Sequence, residues 1–254
     1  MKIEEIKSFL DEKVNLYNQP DFIVNDPISI PHLFSDKQDI EIAGFLTATF
    51  AWGRRDLILK SASWLMKLLE MAPYEFLFHA SKEEWDRFDT YYYRTFSSVD
   101  CLYFLKSLKR IYIEFGGLEE LFVDGYNRGG VKESLIYFRE VFLSFDPLMR
   151  TTKHVANVYK GASAKRLNMF LRWMVRSDNT GVDFGLWDRI SPKDLFLPLD
   201  VHSGNVARKL NLLKRKQNDF KAVEEVTALL REFDPLDPIK YDFALFGLGV
   251  NEAF

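Results

Sequence analysis

One cysteine, Cys101, stands in 254 residues. A disulfide framework is therefore impossible, as are a four-cysteine zinc site and a cysteine-held iron–sulfur cluster, and a reducing cytoplasm is the expected setting. Long apolar runs are missing too. No stretch approaches the roughly 18 consecutive apolar residues that a membrane span needs. The opening MKIEEIKSFLDEKVNLYNQ carries acid where a secretion signal needs a basic start and an unbroken apolar stretch. Neither a membrane partner nor export is expected. There is also little excess charge. A formal net charge of -3 argues, taken alone, against a partner as anionic as nucleic acid. Internal repeats, low-complexity tracts and flexible linkers are absent as well, which predicts a single domain over 1–254, with any boundary between lobes near 145–152.

What the sequence has is helical periodicity. Ile3, Ile6, Phe9, Leu10 and Val14 fall on one helical face, as do Leu57, Ile58, Trp64, Leu65 and Leu68. Further helices are predicted at 37–50, 99–114, 117–124, 131–145, 151–158, 163–177, 201–213, 219–232 and 238–248. Breakers such as Ala72-Pro73, Gly116-Gly117, Gly129-Gly130 and Asp234-Pro235 mark most of their ends. No set of alternating strands competes, so the expected fold is all-α: two helical lobes that share a core, with a helix-hairpin-helix element and a cleft between them. At 47% hydrophobic, with 23 Phe, 11 Tyr and 5 Trp, the chain has ample material for a packed helical core.

Charge is unevenly distributed. Residues 150–216 hold 14 Lys+Arg against 5 Asp+Glu, a local +9 in a chain whose remainder carries -12. A segregated positive face fits a nucleic-acid binder, although a solvated basic surface has the same composition. Two segments inside this window carry candidate chemistry. Tyr159-Lys160-Gly161-Ala162-Ser163-Ala164-Lys165-Arg166 reads as a helix end, a glycine turn and a new helix. A helix that begins this way points backbone N–H groups outward and suits a phosphate, with Lys160 and Arg166 adding charge; the plain alternative is a connector. Lys165 falls in the first turn, where the positive end of the helix disfavours an ammonium. A lysine is nucleophilic only when deprotonated, so such a position suits Schiff-base chemistry. In the second segment, Pro198-Leu199-Asp200-Val201-His202, Asp200 precedes a helical run and reads as an N-cap. The same carboxylate, held ionised and oriented, can stabilise positive charge at a sugar C1′ or accept a proton from an amine. His202 reads as a structural or phosphate-contacting residue.

These residues resemble the helix-hairpin-helix DNA glycosylases, especially the 8-oxoguanine glycosylase/lyase branches. Their hairpin reads Gly-hydrophobic-Gly-x-Lys and is followed downstream by Pro-Val-Asp-x-His. Gly161-Ala162-Ser163-Ala164-Lys165 and Pro198-Leu199-Asp200-Val201-His202 fall on those positions. The likeness continues through Val206-Ala207-Arg208-Lys209-Leu210 and covers about 55 residues, with looser likenesses at residues 43–69, around Trp52, Arg54 and Arg55, and at Phe243-Ala244-Leu245-Phe246-Gly247-Leu248-Gly249. The whole chain is similar to a group of bacterial proteins of unassigned function. Ser163 replaces the second glycine of the hairpin, the Lys-to-Asp interval is longer than in most members, and one cysteine excludes the iron–sulfur branch.

The resemblance implies a base-excision repair glycosylase with associated lyase activity. Its substrate would be double-stranded DNA carrying a damaged base, 8-oxoguanine above all, acted on by a monomer. Lys165 would be the nucleophile and Asp200 the assisting carboxylate. Lys160, Gly161, Ala162, Ser163, Arg166 and His202 would hold the DNA backbone, and Trp52, Arg54 and Arg55 would lie by the base pocket. No redox cofactor or catalytic metal is implied, although relatives hold a monovalent cation on hairpin carbonyls. Two other readings stay open: a hairpin protein that grips DNA without chemistry, and a helical scaffold for a protein partner.

Overall fold

Apolar periodicity and chain breakers resolve into helices in the computed structural model, which describes residues 2–145, 147–252 and 254. Among the described residues twelve α-helices form: α1 (Ile3–Tyr17), α2 (Asp21–Asn25), α3 (Lys37–Phe50), α4 (Arg55–Leu68), α5 (Pro73–His79), α6 (Lys82–Asp86), α7 (Ser98–Phe115), α8 (Leu118–Phe142), α9 (Lys165–Val175), α10 (Val201–Lys209), α11 (Phe220–Phe233) and α12 (Tyr241–Asn251). Short 3-10 turns link several of them, and the only bridges among these residues are two isolated ones, Tyr93 with Phe96 and Ala162 with Asp219. The fold is all-α. No helix among the described residues is long and apolar enough to cross a membrane.

The chain divides into two compact units. One consists of Met1–Val24 with Asn157–Phe254, the other of Asn25–Ala156. The second crossing point lies just beyond the 145–152 interval expected from sequence, and the first falls directly before the Asp26-Pro27 breaker.

In the discontinuous unit, α12 is the central element. Tyr241, Asp242, Phe243, Ala244, Leu245, Gly247 and Leu248 are all buried, and α1 and α10 both pack on it. Helix α1 presents its Ile6, Leu10 and Val14 stripe, and the ring of Tyr17 fills the place where a side chain on Gly247 would stand, 2.2 Å from an added Cβ. Lys13 pairs with Glu252, and the Tyr241 hydroxyl donates to Asp11.

The contiguous unit is built on aromatic packing. Phe45 of α3 meets Phe104 of α7 and Phe138 and Phe142 of α8, with ring centroids 5.4–5.9 Å apart. Phe50, Tyr91 and Phe96 extend the cluster. Helix α8 is two helices joined at Gly129 and Gly130, whose backbones leave the helical region, Gly130 at φ 77°, and the chain doubles back so that Gly125 approaches Ser134.

One predicted helix does not form. Residues 151–158 give only a 3-10 turn at Thr151–His154 followed by extended backbone. Here the hydroxyl of Thr151 and the guanidinium of Arg150 donate to the buried Asp100 at the start of α7, while Thr152 donates back to the Met149 carbonyl. These side-chain bonds compete with the helical ladder, and the β-branched residues Thr151, Thr152, Val155 and Val158 do not favour helix strongly enough to resist them. The segment before the glycine turn is therefore not the first helix of a regular helix-hairpin-helix. Helix α10 also ends at Lys209, short of the expected 213, because Asn211 turns left-handed at φ 57°.

Candidate active site

Asn157 begins the turn that leads to α9. Its side-chain oxygen accepts from the Lys160 N–H at 3.0 Å and its carbonyl accepts from the Ala162 N–H at 3.0 Å, while the Gly161 N–H donates to the Val158 carbonyl at 2.8 Å. Gly161 adopts φ +87°, a left-handed conformation open to glycine at little cost. Tyr159 and Lys160 stand exposed at the tip. The Gly161 carbonyl then accepts from the Phe220 N–H at 2.9 Å and Ala162 bridges Asp219, which fastens the turn to the start of α11. Ser163 adds a further tie, its carbonyl accepting from the Asn168 amide at 3.1 Å.

Ala164 makes the final reversal at φ 51°, ψ 36°. A left-handed alanine costs roughly 1–2 kcal/mol, and in return the next residue, Lys165, becomes the first of α9. Lys165 is half-buried, with its Nζ 3.4 Å from the Met169 sulfur. Lys165, Met169, Arg172 and Arg176 follow at intervals of four, three and four, so they share one face of the helix.

Asp200 is the N-cap of α10, as its sequence context predicts. Its carboxylate accepts from the Ser203 N–H at 2.9 Å and the Ser203 hydroxyl at 3.2 Å, and the Asp200 N–H donates to the Ser203 hydroxyl oxygen in return. Half-buried and oriented by these bonds, it keeps one oxygen, Oδ2, outside the cap.

Asp242, near the start of α12, joins the two segments. Burial pushes its carboxyl up to about 6 against the pull of Arg172; the Asp200 carboxylate pushes it further up, and the Lys165 ammonium opposes the rise. Lys165 and Asp200 therefore lie within electrostatic reach of the same buried acid. Arg172 donates to Asp242 through Nη1 and to Asp183 through Nε, the latter at 3.1 Å. Arg176 continues the network to Asp183 at 3.0 Å, Asp178 at 2.7 Å and Asp237 at 2.9 Å. The ring of Phe243 lies beneath both guanidiniums, 4.4 Å and 5.4 Å from centroid to Cζ. A half-buried amine and a half-buried carboxylate thus both act electrostatically on one buried carboxyl, which Arg172 ties into an ionic network. That arrangement can exchange protons and present a nucleophile.

The remaining expected residues are distributed differently. Arg166 is half-buried, and desolvation draws its guanidinium down to about 10. His202 is exposed on α10, against Gly249 of α12, where an added Cβ would come within 3.0 Å of it. Trp52, Arg54 and Arg55 belong to the contiguous unit, whereas Lys165 and Asp200 belong to the discontinuous one. Trp52 stacks on His154 at 6.0 Å and its carbonyl accepts from the Tyr93 hydroxyl. Arg54 is exposed and paired with Asp56 at 2.7 Å. Neither Arg172 nor Asp242 is singled out by the sequence. The signal available for Asp242 is a lone acid inside the apolar run Tyr241 to Leu248, which demands a buried cation.

The fold is all-α, and Lys165 and Asp200 stand at the starts of α9 and α10, each in electrostatic reach of Asp242 in α12. A family profile described as "Protein of unknown function (DUF2400)" matches residues 26–251, and the chain belongs to that family. No curated protein and no solved structure matches the chain.

Proposed function

We propose that the protein is a DNA glycosylase with lyase activity, which removes a damaged base, an oxidised purine first among candidates, through a Schiff base on Lys165. What supports this reading is that Lys165 opens α9 directly after the glycine turn and Asp200 caps α10, the two motifs in which the sequence resembles helix-hairpin-helix glycosylases, and that both act electrostatically on the buried Asp242.

In this mechanism a target nucleotide leaves the base stack, and Nζ of Lys165, once its ammonium proton has passed to Asp200, bonds to C1′ as the bond from C1′ to the base nitrogen breaks. The departing base takes that electron pair and that proton. Asp200, ionised again, stabilises the positive charge that develops at the sugar. Opening of the sugar ring gives an imine. Loss of a C2′ proton then expels the 3′ phosphate and nicks the strand.

Borohydride reduction of the imine tests the proposal. Purified protein incubated with abasic and lesion-bearing duplexes is expected to give a covalent complex that Lys165→Ala abolishes, and trapping retained in that variant removes Lys165 from the role. Asp200→Asn preserves the cap, since asparagine caps as well as aspartate, and is expected to slow base release by about 10²- to 10⁴-fold while the protein still unfolds at the wild-type urea midpoint. Unchanged turnover would exclude the carboxylate from the mechanism.

A further inference from the structure

The segment from Lys214 to Lys221 gathers four cations, Lys214, Arg215, Lys216 and Lys221, against one acid, Asp219. It lines an open concavity of about 490 Å3 together with Gln217 and Glu225. Arg215 is satisfied by Asp219, and Glu225 accepts from the Lys214 backbone N–H at 2.6 Å. Lys214, Lys216 and Lys221 are exposed, and among the described residues none of their ammonium groups makes an ion pair or hydrogen bond. Asp219 and Glu225 offset part of this charge, and the exposed ammonium groups beyond them repel one another. Such a surface is stabilised by a polyanion.

The loop is tied to both candidate segments. Its far end is joined to the glycine turn, where Phe220 N–H donates to the Gly161 carbonyl and Asp219 bridges Ala162. Its middle is joined to the Asp200 cap: Asn218 donates to the Asp200 carbonyl at 2.9 Å and accepts from Arg208, which also donates to the Arg215 carbonyl at 2.8 Å. One hydrogen-bonded scaffold therefore carries the three free lysines, the Lys160 turn and the half-buried carboxylate Asp200. A strand bound at Asp200 would therefore run beside this scaffold.

We propose that the 214–221 loop is a phosphodiester-binding surface in which Lys214, Lys216 and Lys221 grip the DNA backbone adjoining the glycine turn. This rests on the repair reading for the identity of the polyanion, though binding and chemistry are measured separately. The loop reads no base, so the grip is independent of sequence and of damage.

The test is the salt dependence of binding to an undamaged duplex, followed by fluorescence anisotropy in the full-length protein. The Lys214→Ala/Lys216→Ala/Lys221→Ala variant is expected to weaken binding at least tenfold at about 0.1 M salt. It should also flatten the slope of log affinity against log salt by about 2 to 3, near 0.9 for each phosphate that a lysine no longer neutralises. The corresponding triple arginine variant should restore the slope. If the triple alanine variant does not fold, each single variant should flatten the slope by about 0.9. An unchanged slope in the alanine variants overturns the surface and leaves the repair reading standing, since that is decided by trapping at Lys165. A lysine-dependent slope in a protein that never traps keeps the surface and removes the repair reading. Lysine-dependent binding of polyglutamate with none to duplex overturns the proposal in favour of an acidic protein partner.

Discussion

Asp242 is a carboxyl group in a place that penalises charge, and this fixes the sign of its contribution to stability. Its pKa is raised from 3.8 to about 6, chiefly by burial and further by Asp200, against the opposing pull of Arg172 and Lys165. A raised folded-state value means that the folded protein holds the proton more tightly than the unfolded chain. The contribution is therefore fully present below about pH 4 and is lost as pH rises through about 6, a difference of about 3 kcal/mol at 1.36 kcal/mol per pH unit. Asp242→Asn carries no such proton. Relative to wild type, the variant should gain about that much stability between pH 4 and pH 7 in urea titrations. A pH-independent difference would show that Asp242 stays ionised throughout, clamped by Arg172. Lys165 and Asp200 are legible in the sequence because local rules govern them: a glycine turn precedes the one, and a proline and a helical run frame the other. Asp242 is not legible, because the partner that makes it tolerable, Arg172, is 70 residues away. Its own neighbours read as core.

At the level of elements, the long helices are legible because their apolar stripes repeat over several turns. The predicted 37–50 coincides with α3, and 99–114 lies within α7 to a residue at either end. Helices α5 and α6, of seven and five residues, offer too few turns for a period to show. The Gly129-Gly130 pair marks the break inside α8, yet the closeness of the two arms is written elsewhere, in Gly125. A Cβ there would sit 2.6 Å from the Ser134 Cα and 3.2 Å from the Tyr137 Cβ. The first obstacle is backbone, which cannot rotate aside. Gly125→Ala should therefore destabilise the protein by about 1–3 kcal/mol through overpacking, even though alanine is the better helix former by roughly 1 kcal/mol. Gly130→Ala meets nothing within 4 Å but is held at φ 77°, ψ -169°, a region essentially reserved for glycine, so its cost of about 1–3 kcal/mol comes from the backbone alone. Equal urea midpoints for wild type and Gly125→Ala would mean that the two arms of α8 do not pack as described.

For the whole molecule, the sequence suggests a single domain with a possible lobe boundary near 145–152, and the contacts group the chain into two units, one of which is split in sequence by the other. Nothing local encodes this. Helix α1 reads as an ordinary amphipathic helix, and only the folded chain reveals that its partner is α12, at the opposite end: Asp11 accepts from Tyr241, Tyr17 covers Gly247, and Phe22 meets Phe243 edge-on at 5.1 Å. The same asymmetry makes the units separable by experiment. Residues 25–156 hold their aromatic cluster of Phe45, Phe104, Phe138 and Phe142 within one uninterrupted stretch, so this fragment should show a cooperative urea transition by itself. Residues 157–254 leave the α1-facing side of α12 bare, a loss of several fully buried apolar side chains at roughly 1.5–3 kcal/mol each. That is comparable to the whole stability of a domain this size. The fragment should remain molten when alone, and should gain cooperative unfolding and protected amides in α12 when a peptide of residues 1–24 is added. Cooperative folding of 157–254 without the peptide would show that α1 is an accessory to this unit, and would place the support of the Lys165 and Asp200 centre within its own 98 residues.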